Sequence, residues 1–186
     1  MGQRVIERID DNELLLHACC APCSAAIIEW LLDNGVTPYI YYYNPNIYPL
    51  SEYERRKLES KRYAEGLGLR WFDGDYDHVG WLGCVEGLES EPERGARCEL
   101  CFYLRLRSAA FECKRLGLRY FATTLGSSRW KDLSQISRAG VRASAEAGVS
   151  FWDQNWRICG LQERRNELLR ENNFYNQRYC GCEFSY

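Results

Sequence analysis

Residues 14–23 read LLLHACCAPC, an apolar run that ends in three closely spaced cysteines. The apolar part predicts a short buried strand, and residues 24–33 after it have a helix-like pattern. Pro22 suits the first turn of that helix, because the backbone N–H that proline lacks would have no partner there. The helix N-terminus stabilises anions, which favours thiolate over thiol at Cys20 and Cys23. The stretch is therefore a candidate site for a soft metal or for redox chemistry.

Strand-like and helix-like segments alternate outward from this stretch. Strands are predicted at residues 13–17, 37–43, 69–72 and 119–123, and helices at residues 24–33, 51–66, 97–116, 131–140 and 161–171. Ser51 and Glu54 have the capping-box spacing at the start of the second helix. The alternation predicts a Rossmann-like (HUP-type) α/β fold, in which helices cover both faces of a parallel sheet of about five strands. A helical cysteine-bearing segment and a docked C-terminal tail complete the expected fold.

The composition predicts one α/β domain, residues 1–186. Hydrophobic residues make up 46% of the chain, enough for a core, and no stretch is long and apolar enough to cross a membrane. The charged N-terminal segment lacks the apolar centre of a signal peptide. We therefore expect a cytoplasmic protein whose ten cysteines are reduced thiols, some of which bind metal, rather than a disulfide framework.

Charge is distributed unevenly, although the net charge is only −2. Residues 102–142 hold nine Arg or Lys against two acids, whereas residues 71–101 hold eight acids against two Arg. A basic segment can be a track for a polyanion, but helix faces are often simply charged and solvated. The charge distribution alone favours the solvated face.

The predicted topology brings two groups of cysteines together. In parallel sheets, ligands bind at the carboxyl ends of the strands where the strand order reverses. If the first and fourth strands are neighbours, the turn after the first strand faces Thr123 and Thr124. The helix that carries Cys98 and Cys101 leads directly into the fourth strand. Glycine-rich phosphate loops and a Walker lysine are absent from the sequence.

Two cysteine pairs, Cys20-x-x-Cys23 and Cys98-x-x-Cys101, have a spacing typical of metal sites. Residues 24–97 separate them, so the fold must assemble the site. With Cys19 there are five thiols, one more than a tetrahedral zinc site needs. Five thiols suit an iron–sulfur cluster on four of them, with one left for a second metal or for substrate.

The isolated cysteines and the histidines are expected to be structural. Cys84, Cys113 and Cys159 are predicted to be buried spectator thiols. His17 lies at the end of a strand and is predicted to be a packed, hydrogen-bonded core residue. His78 lies among aspartates and is predicted to belong to a solvated acidic loop.

Longer motifs occur in order along the chain: HACCAPC (17–23), YNPNIYP (43–49) with EYERR (52–56), EPERGARCELCFYLRL (91–106), TTL (123–125) with Lys131, and YNQRYCGCEFS (175–185). Together they resemble the cobalamin-independent epoxyqueuosine reductases, the QueH-like proteins, over nearly the whole chain beyond Glu13. The chain departs from that pattern at residues 126–130, which read GSSRW where the family more often has Ser-Pro-aromatic before the lysine.

The resemblance implies the last step of queuosine synthesis, a two-electron reduction of the epoxide of epoxyqueuosine in the anticodon loop of a tRNA. It implies an external electron donor, a [4Fe–4S] cluster and a second, mononuclear iron. We assign the cluster to Cys19, Cys20, Cys98 and Cys101. Cys23 is assigned to the second iron, because the family can have an aspartate at the last position of its first motif.

Substrate contacts are expected at Thr124 and Lys131, and at Asn44 and Asn46, although a turn-forming role explains the two asparagines equally well. One residue between Cys180 and Cys182 allows a disulfide only in a strained, easily reduced ring. We therefore expect these two cysteines to relay electrons or protons, or to shield the cluster.

Three other functions remain open from the residues alone. A thiol–disulfide oxidoreductase using its CxxC motif would contain no iron, and a zinc-stabilised tRNA-binding module would hold one zinc and no sulfide. An ATP-dependent tRNA thiolase is a fold analogy, and the missing phosphate loop counts against it. Metal and sulfide analysis distinguishes all of these from an iron–sulfur reductase.

Overall fold

Strands and helices alternate through the computed structural model, which describes residue 6 and residues 8–185. The elements are β1 (Glu13–His17), α1 (Ala21–Asp33), β2 (Thr37–Tyr42), α2 (Leu50–Gly66), β3 (Trp71–Asp73), α3 (His78–Cys84), α4 (Ala96–Arg115), β4 (Tyr120–Thr123), α5 (Leu133–Ala147), β5 (Ser150–Phe151) and α6 (Leu161–Glu171). A short 3-10 turn, Thr124–Ser127, follows β4.

The five strands form one parallel sheet in the order β3-β2-β1-β4-β5. His17, the last residue of β1, lies opposite Tyr41 of β2 and Thr123 of β4. The strand order reverses between β1 and β4, which is where parallel sheets open a crevice for ligands. The predicted α/β fold is confirmed, and the first strand pairs with the fourth, which is the condition for the turn after β1 to face Thr123 and Thr124.

Both faces of the sheet are covered, which explains why β1 is apolar at consecutive positions. Leu14 and Leu16 pack on one face against side chains of α1 and α6. Leu15 points to the other face, where it meets Phe102 of α4 and Ile136 of α5. Each fully buried leucine stabilises the fold by about 1.5–3 kcal/mol.

Several element boundaries differ from the predictions. Helix α1 begins at Ala21 rather than at residue 24, with Cys20 as its N-cap. The capping-box prediction is wrong, because Pro49 is the N-cap of α2 and Ser51 lies inside the helix. Helix α5 begins after Asp132, whose side chain accepts from two backbone N–H groups, and it continues well beyond residue 140.

The C-terminal tail docks beside the carboxyl edge of the sheet, as predicted. Arg56 of α2 donates to the carbonyl of Cys180 at 3.0 Å, and the N–H of Tyr48 donates to the carbonyl of Gly181 at 2.8 Å. Across the described residues, we find no helix with the length and apolar character needed to span a membrane.

Candidate functional site

Three buried thiols meet at the N-terminus of α1. Cys19 ends the turn after β1, Cys20 is the N-cap and Cys23 lies in the first helical turn. Their sulfur atoms all lie within 4.8 Å of one another, and those of Cys19 and Cys20 are 3.8 Å apart. This buried trio has the spacing and chemistry of a metal site.

Hydrogen bonds inside the trio shift the pKa values of the three thiols in different directions. Bonds from the Cys20 and Cys23 thiols hold the pKa of Cys19 well below its usual value. Burial and the Cys19 sulfur raise the pKa of Cys20, and the bond with Cys19 raises the pKa of Cys23 to about 11. A cation bound here would displace the remaining protons, because thiolates are the metal-binding form.

Two residues from distant segments contact the trio. The hydroxyl of Thr124 donates to the Cys19 sulfur at 3.4 Å and accepts from the Cys19 N–H at 3.2 Å. Thr124 is fully buried, so it positions Cys19 from the end of β4. Gln177, in the tail, donates to the Cys20 sulfur at 2.7 Å. Sequence reasoning did not single out Gln177, although it lies in the last of the motifs.

Cys98 and Cys101 lie one turn apart at the start of α4, on the wall of a cavity of about 750 Å³. Cys19 and Cys23 line the same cavity, as the predicted topology requires. The backbone N–H of Arg94 donates to the Cys98 sulfur at 3.3 Å, and burial raises the pKa of Cys101 to about 12.

The tail closes another side of the cavity with two more thiols. Cys180 is half-buried and Cys182 is buried, and both line the cavity as free thiols. Cys182 also packs with Cys101 and Trp81 in a small apolar cluster. The tail cysteines therefore lie beside those of α4.

The cavity wall is strongly basic. Among the residues that the structure describes, the wall carries eight cationic side chains and one carboxylate, that of Glu93; the cations are Arg56, Arg94, Arg97, Arg105, Arg129, Lys131, Arg165 and Arg178. Burial alone would lower the pKa of Lys131, but the charges of Cys180, Cys19 and Cys23 raise it above its usual value. Such a surface attracts anions.

Asn44 and Asn46 both line the cavity, with different surroundings. Asn44 donates to the carbonyl of Ala18 at 3.0 Å and accepts from Arg105. Asn46 is 1% exposed, and neither atom of its amide has a hydrogen-bond partner among the described residues. Asn46 therefore offers a donor and an acceptor to a ligand.

The basic segment of residues 102–142 does not form a continuous track. Five of its cations pair with carboxylates: Arg107 and Arg142 with Glu146, Arg115 with Glu112, Arg119 with Asp10, and Arg138 with Glu99. Three others, Arg105, Arg129 and Lys131, line the cavity. The positive surface is therefore concentrated at the cavity.

The histidine predictions had different outcomes. His17 is fully buried, its Nε2 donates to the carbonyl of Tyr43 at 3.1 Å and its Nδ1 accepts from Thr123 at 2.8 Å, as predicted for a core residue. Burial lowers the pKa of His17 to about 3, so the ring is neutral. The solvated-loop prediction for His78 is wrong, because its ring is half-buried and stacks on Tyr76 and Trp81.

Among the isolated cysteines, Cys113 is buried as predicted, and its thiol donates to the carbonyl of Leu118 at 3.2 Å. The prediction is wrong for Cys84 and Cys159, which are exposed because they lie at the end of α3 and in the loop before α6.

Known proteins resemble the chain over most of its length. A family model described as epoxyqueuosine reductase QueH matches residues 14–186. Proteins named epoxyqueuosine reductase QueH are 46% identical in Haemophilus influenzae and in Histophilus somni, each over 94% of this chain and over 71% and 72% of those proteins. The protein of that name from Acinetobacter baylyi is 43% identical over 98% of this chain and 85% of its own length.

Proposed function

The chain belongs to the epoxyqueuosine reductase QueH family, which converts epoxyqueuosine to queuosine in tRNA, and we propose that its clustered cysteines hold a [4Fe–4S] cluster and a second, mononuclear iron for that reduction. The observation that carries the proposal is that two members of the buried trio, Cys19 and Cys23, line one cavity with Cys98 and Cys101.

The donor set fits these groups. All five side chains offer soft thiolates, which select iron–sulfur clusters, zinc or copper(I) over magnesium and calcium. Five thiols exceed the four that close a zinc site. Arg105 and Lys131 line the same cavity, where their positive charges would offset the negative charge of a thiolate-bound cluster.

We assign the cluster to Cys19, Cys20, Cys98 and Cys101, and the second iron to Cys23. Cys23 lines the cavity, which supports a role close to substrate. When bound, the cluster supplies electrons one at a time and the second iron acts as a Lewis acid on the epoxide oxygen. Thr124 holds Cys19 in place through both of its hydrogen bonds.

Cys180 and Cys182 are assigned as a redox pair. Removing the epoxide oxygen as water consumes two electrons and two protons, and oxidation of two thiols to one disulfide releases the same numbers. Both thiols line the cavity, so they are available for this exchange. An external electron donor then returns the disulfide to two thiols.

The substrate base enters the cavity after leaving its stack in the anticodon loop, as in other enzymes that modify bases. A volume of about 750 Å³ lies within the range of ligand pockets. The unpartnered amide of Asn46 would bind polar groups of the modified base, next to Asn44 and Lys131.

The tRNA backbone approaches over the cationic mouth of the cavity, because phosphates dominate the affinity of nucleic-acid complexes. Arg129 and Arg178 are exposed there. Because the substrate is a tRNA, we propose that the protein acts in the cytoplasm.

Variants of the α4 cysteines and of the tail cysteines test the assignment of the cluster ligands and of the redox pair. Cys98→Ala and Cys101→Ala should each lose iron and activity together. Replacing both Cys180 and Cys182 with serine should retain the iron and the visible spectrum while turnover falls sharply. Iron content and the rate of epoxyqueuosine reduction are measured on anaerobically prepared protein.

Cys113→Ala is the matched control, because Cys113 is a buried thiol on the same helix whose hydrogen bond is to the carbonyl of Leu118. It should keep both iron and activity. Full iron in both of the other α4 variants would refute the ligand assignment, and loss of iron from the double serine variant would make the tail cysteines ligands.

A further inference from the structure

We infer that Trp130 stacks on a base of the anticodon loop beside the reacting nucleotide. The inference rests on the proposed binding of tRNA at the cavity, and it adds a contact that holds the neighbour of the modified base.

Trp130 is an exposed tryptophan on the wall of the cavity. It is 65% exposed, whereas Trp81, Trp152 and Trp156 are at most 7% exposed. A single exposed apolar side chain is ordinary on a protein surface, so exposure alone does not indicate a binding site. Trp130, however, lines the cavity that contains the cysteines. Its indole is a large apolar face at the opening of a polar, cationic site.

The backbone around Trp130 is held by arginines. Arg94 donates from its Nε to the carbonyl of Trp130 at 2.9 Å. Arg157 donates to the carbonyl of Lys131 at 2.7 Å and to that of Gly126 at 3.0 Å. Hydrogen bonds from a charged donor are stronger than neutral ones. A loop that is fixed in advance loses little conformational entropy on binding, so the indole is presented ready for a ligand.

One cation lies against the exposed indole, and others line the same cavity. The guanidinium of Arg129 lies 4.9 Å from the centroid of the Trp130 ring, and Arg165 and Arg178 line the same cavity. Single-stranded RNA is bound by surfaces of this kind, in which aromatic rings stack on bases while arginines contact phosphates. The excess of positive charge favours RNA over an apolar peptide as the occupant.

Neighbouring residues of this loop lie at different depths in the cavity. Lys131 is half-buried, and it lines the cavity together with Cys19 and Cys23. Trp130, the preceding residue, lies at the exposed rim. A nucleotide that inserts its base toward the cysteines would therefore leave the adjacent base over the indole.

The test uses an anticodon stem–loop RNA that carries the fluorescent base 2-aminopurine beside the target nucleotide. The wild-type protein should quench its fluorescence through stacking. Trp130→Ala should bind on the order of 10-fold more weakly and lose most of the quenching, because stacking on one base contributes roughly this much affinity. Trp130→Phe should retain most of both, and Phe111→Ala, which removes an exposed aromatic ring outside this cavity, should match the wild type.

Unchanged affinity and quenching in Trp130→Ala would overturn the inference, as would tight binding of the wild-type protein without any quenching. If the alanine variant does not fold, Trp130→Leu, which keeps an apolar side chain without a ring, should show the same losses. A wild-type protein that does not bind the stem–loop at all would contradict the proposed function itself, which is a different result.

Discussion

Asn44 and Asn46 lie in the same turn, but their amides have different partners. Asn44 is hydrogen-bonded to Ala18 and Arg105, whereas the buried amide of Asn46 has no partner among the described residues. A buried polar group without a partner costs about 1–3 kcal/mol. A substrate that supplies the missing partners explains why an amide occupies this position.

Asn46→Ala should leave the free energy of unfolding unchanged or raise it slightly, because it removes an unsatisfied buried group. It should lower kcat/KM for tRNA containing epoxyqueuosine by roughly 10-fold or more, since the substrate then loses its hydrogen bonds. Asn44→Ala is the matched control, and it should lower the free energy of unfolding by about 1–3 kcal/mol because it leaves Arg105 without this partner. Normal activity in Asn46→Ala would make Asn46 a turn residue.

The roles of single residues were predictable where they follow from position in a strand. His17 is a core residue because it ends a strand that is buried on both faces. Position in a strand could not decide the roles of Gln177 and Asn46. The contacts of Gln177 and the surroundings of Asn46 come from segments that are distant in sequence.

At the scale of elements, the tail depends on guanidinium groups from two helices. Arg56 of α2 donates to the carbonyl of Cys180 and pairs with Glu52, and Arg97 of α4 donates to the carbonyl of Phe184 at 3.2 Å. Both arginines are at most 3% exposed. The tail is therefore fixed by buried charged groups whose hydrogen bonds it helps to satisfy.

Arg56→Lys should loosen the tail, because an ammonium group cannot reproduce the planar, forked donors of arginine. Amide hydrogen exchange in residues 175–185 should become at least several-fold faster, and turnover should fall while iron is retained. Lys61→Ala changes an exposed cation of the same helix and should alter neither quantity. Unchanged exchange in Arg56→Lys would show that other contacts hold the tail.

Most elements were predictable from periodicity, and the errors have local causes. The ends of β1 and α6 agree with the sequence, because an apolar run and a helical pattern define them. The start of α2 does not, since Pro49 begins the helix before Ser51 can cap it. Strand β5 has two residues, too few to produce a pattern.

At the scale of the whole molecule, the net charge is −2, but the wall of the cavity is strongly basic. Arg178 is exposed at the cavity, whereas Arg142 is paired with Glu146 at 3.3 Å on α5. Arg178→Ala should therefore reduce the salt dependence of tRNA binding by about one unit of log–log slope, and Arg142→Ala should leave it unchanged. A slope that falls in Arg142→Ala but not in Arg178→Ala would instead make the basic segment of residues 102–142 part of the tRNA-binding surface.

The meeting of the cysteine groups was predictable at this scale because strand order determines which loops share an edge of the sheet. Cys19 follows β1 and Cys98 lies in the first turn of the helix that leads into β4, and these strands are neighbours. The arginine contacts that hold the loop of Trp130 were not predictable, since they depend on Arg94 and Arg157, two side chains from segments distant from the loop in sequence.

The most direct test of the account is the metal and acid-labile sulfide content of the anaerobically purified wild-type protein. A [4Fe–4S] cluster with a second iron predicts about five irons and about four sulfides per chain, with visible absorbance. One zinc per chain without sulfide, or a colourless protein without iron, would contradict the account.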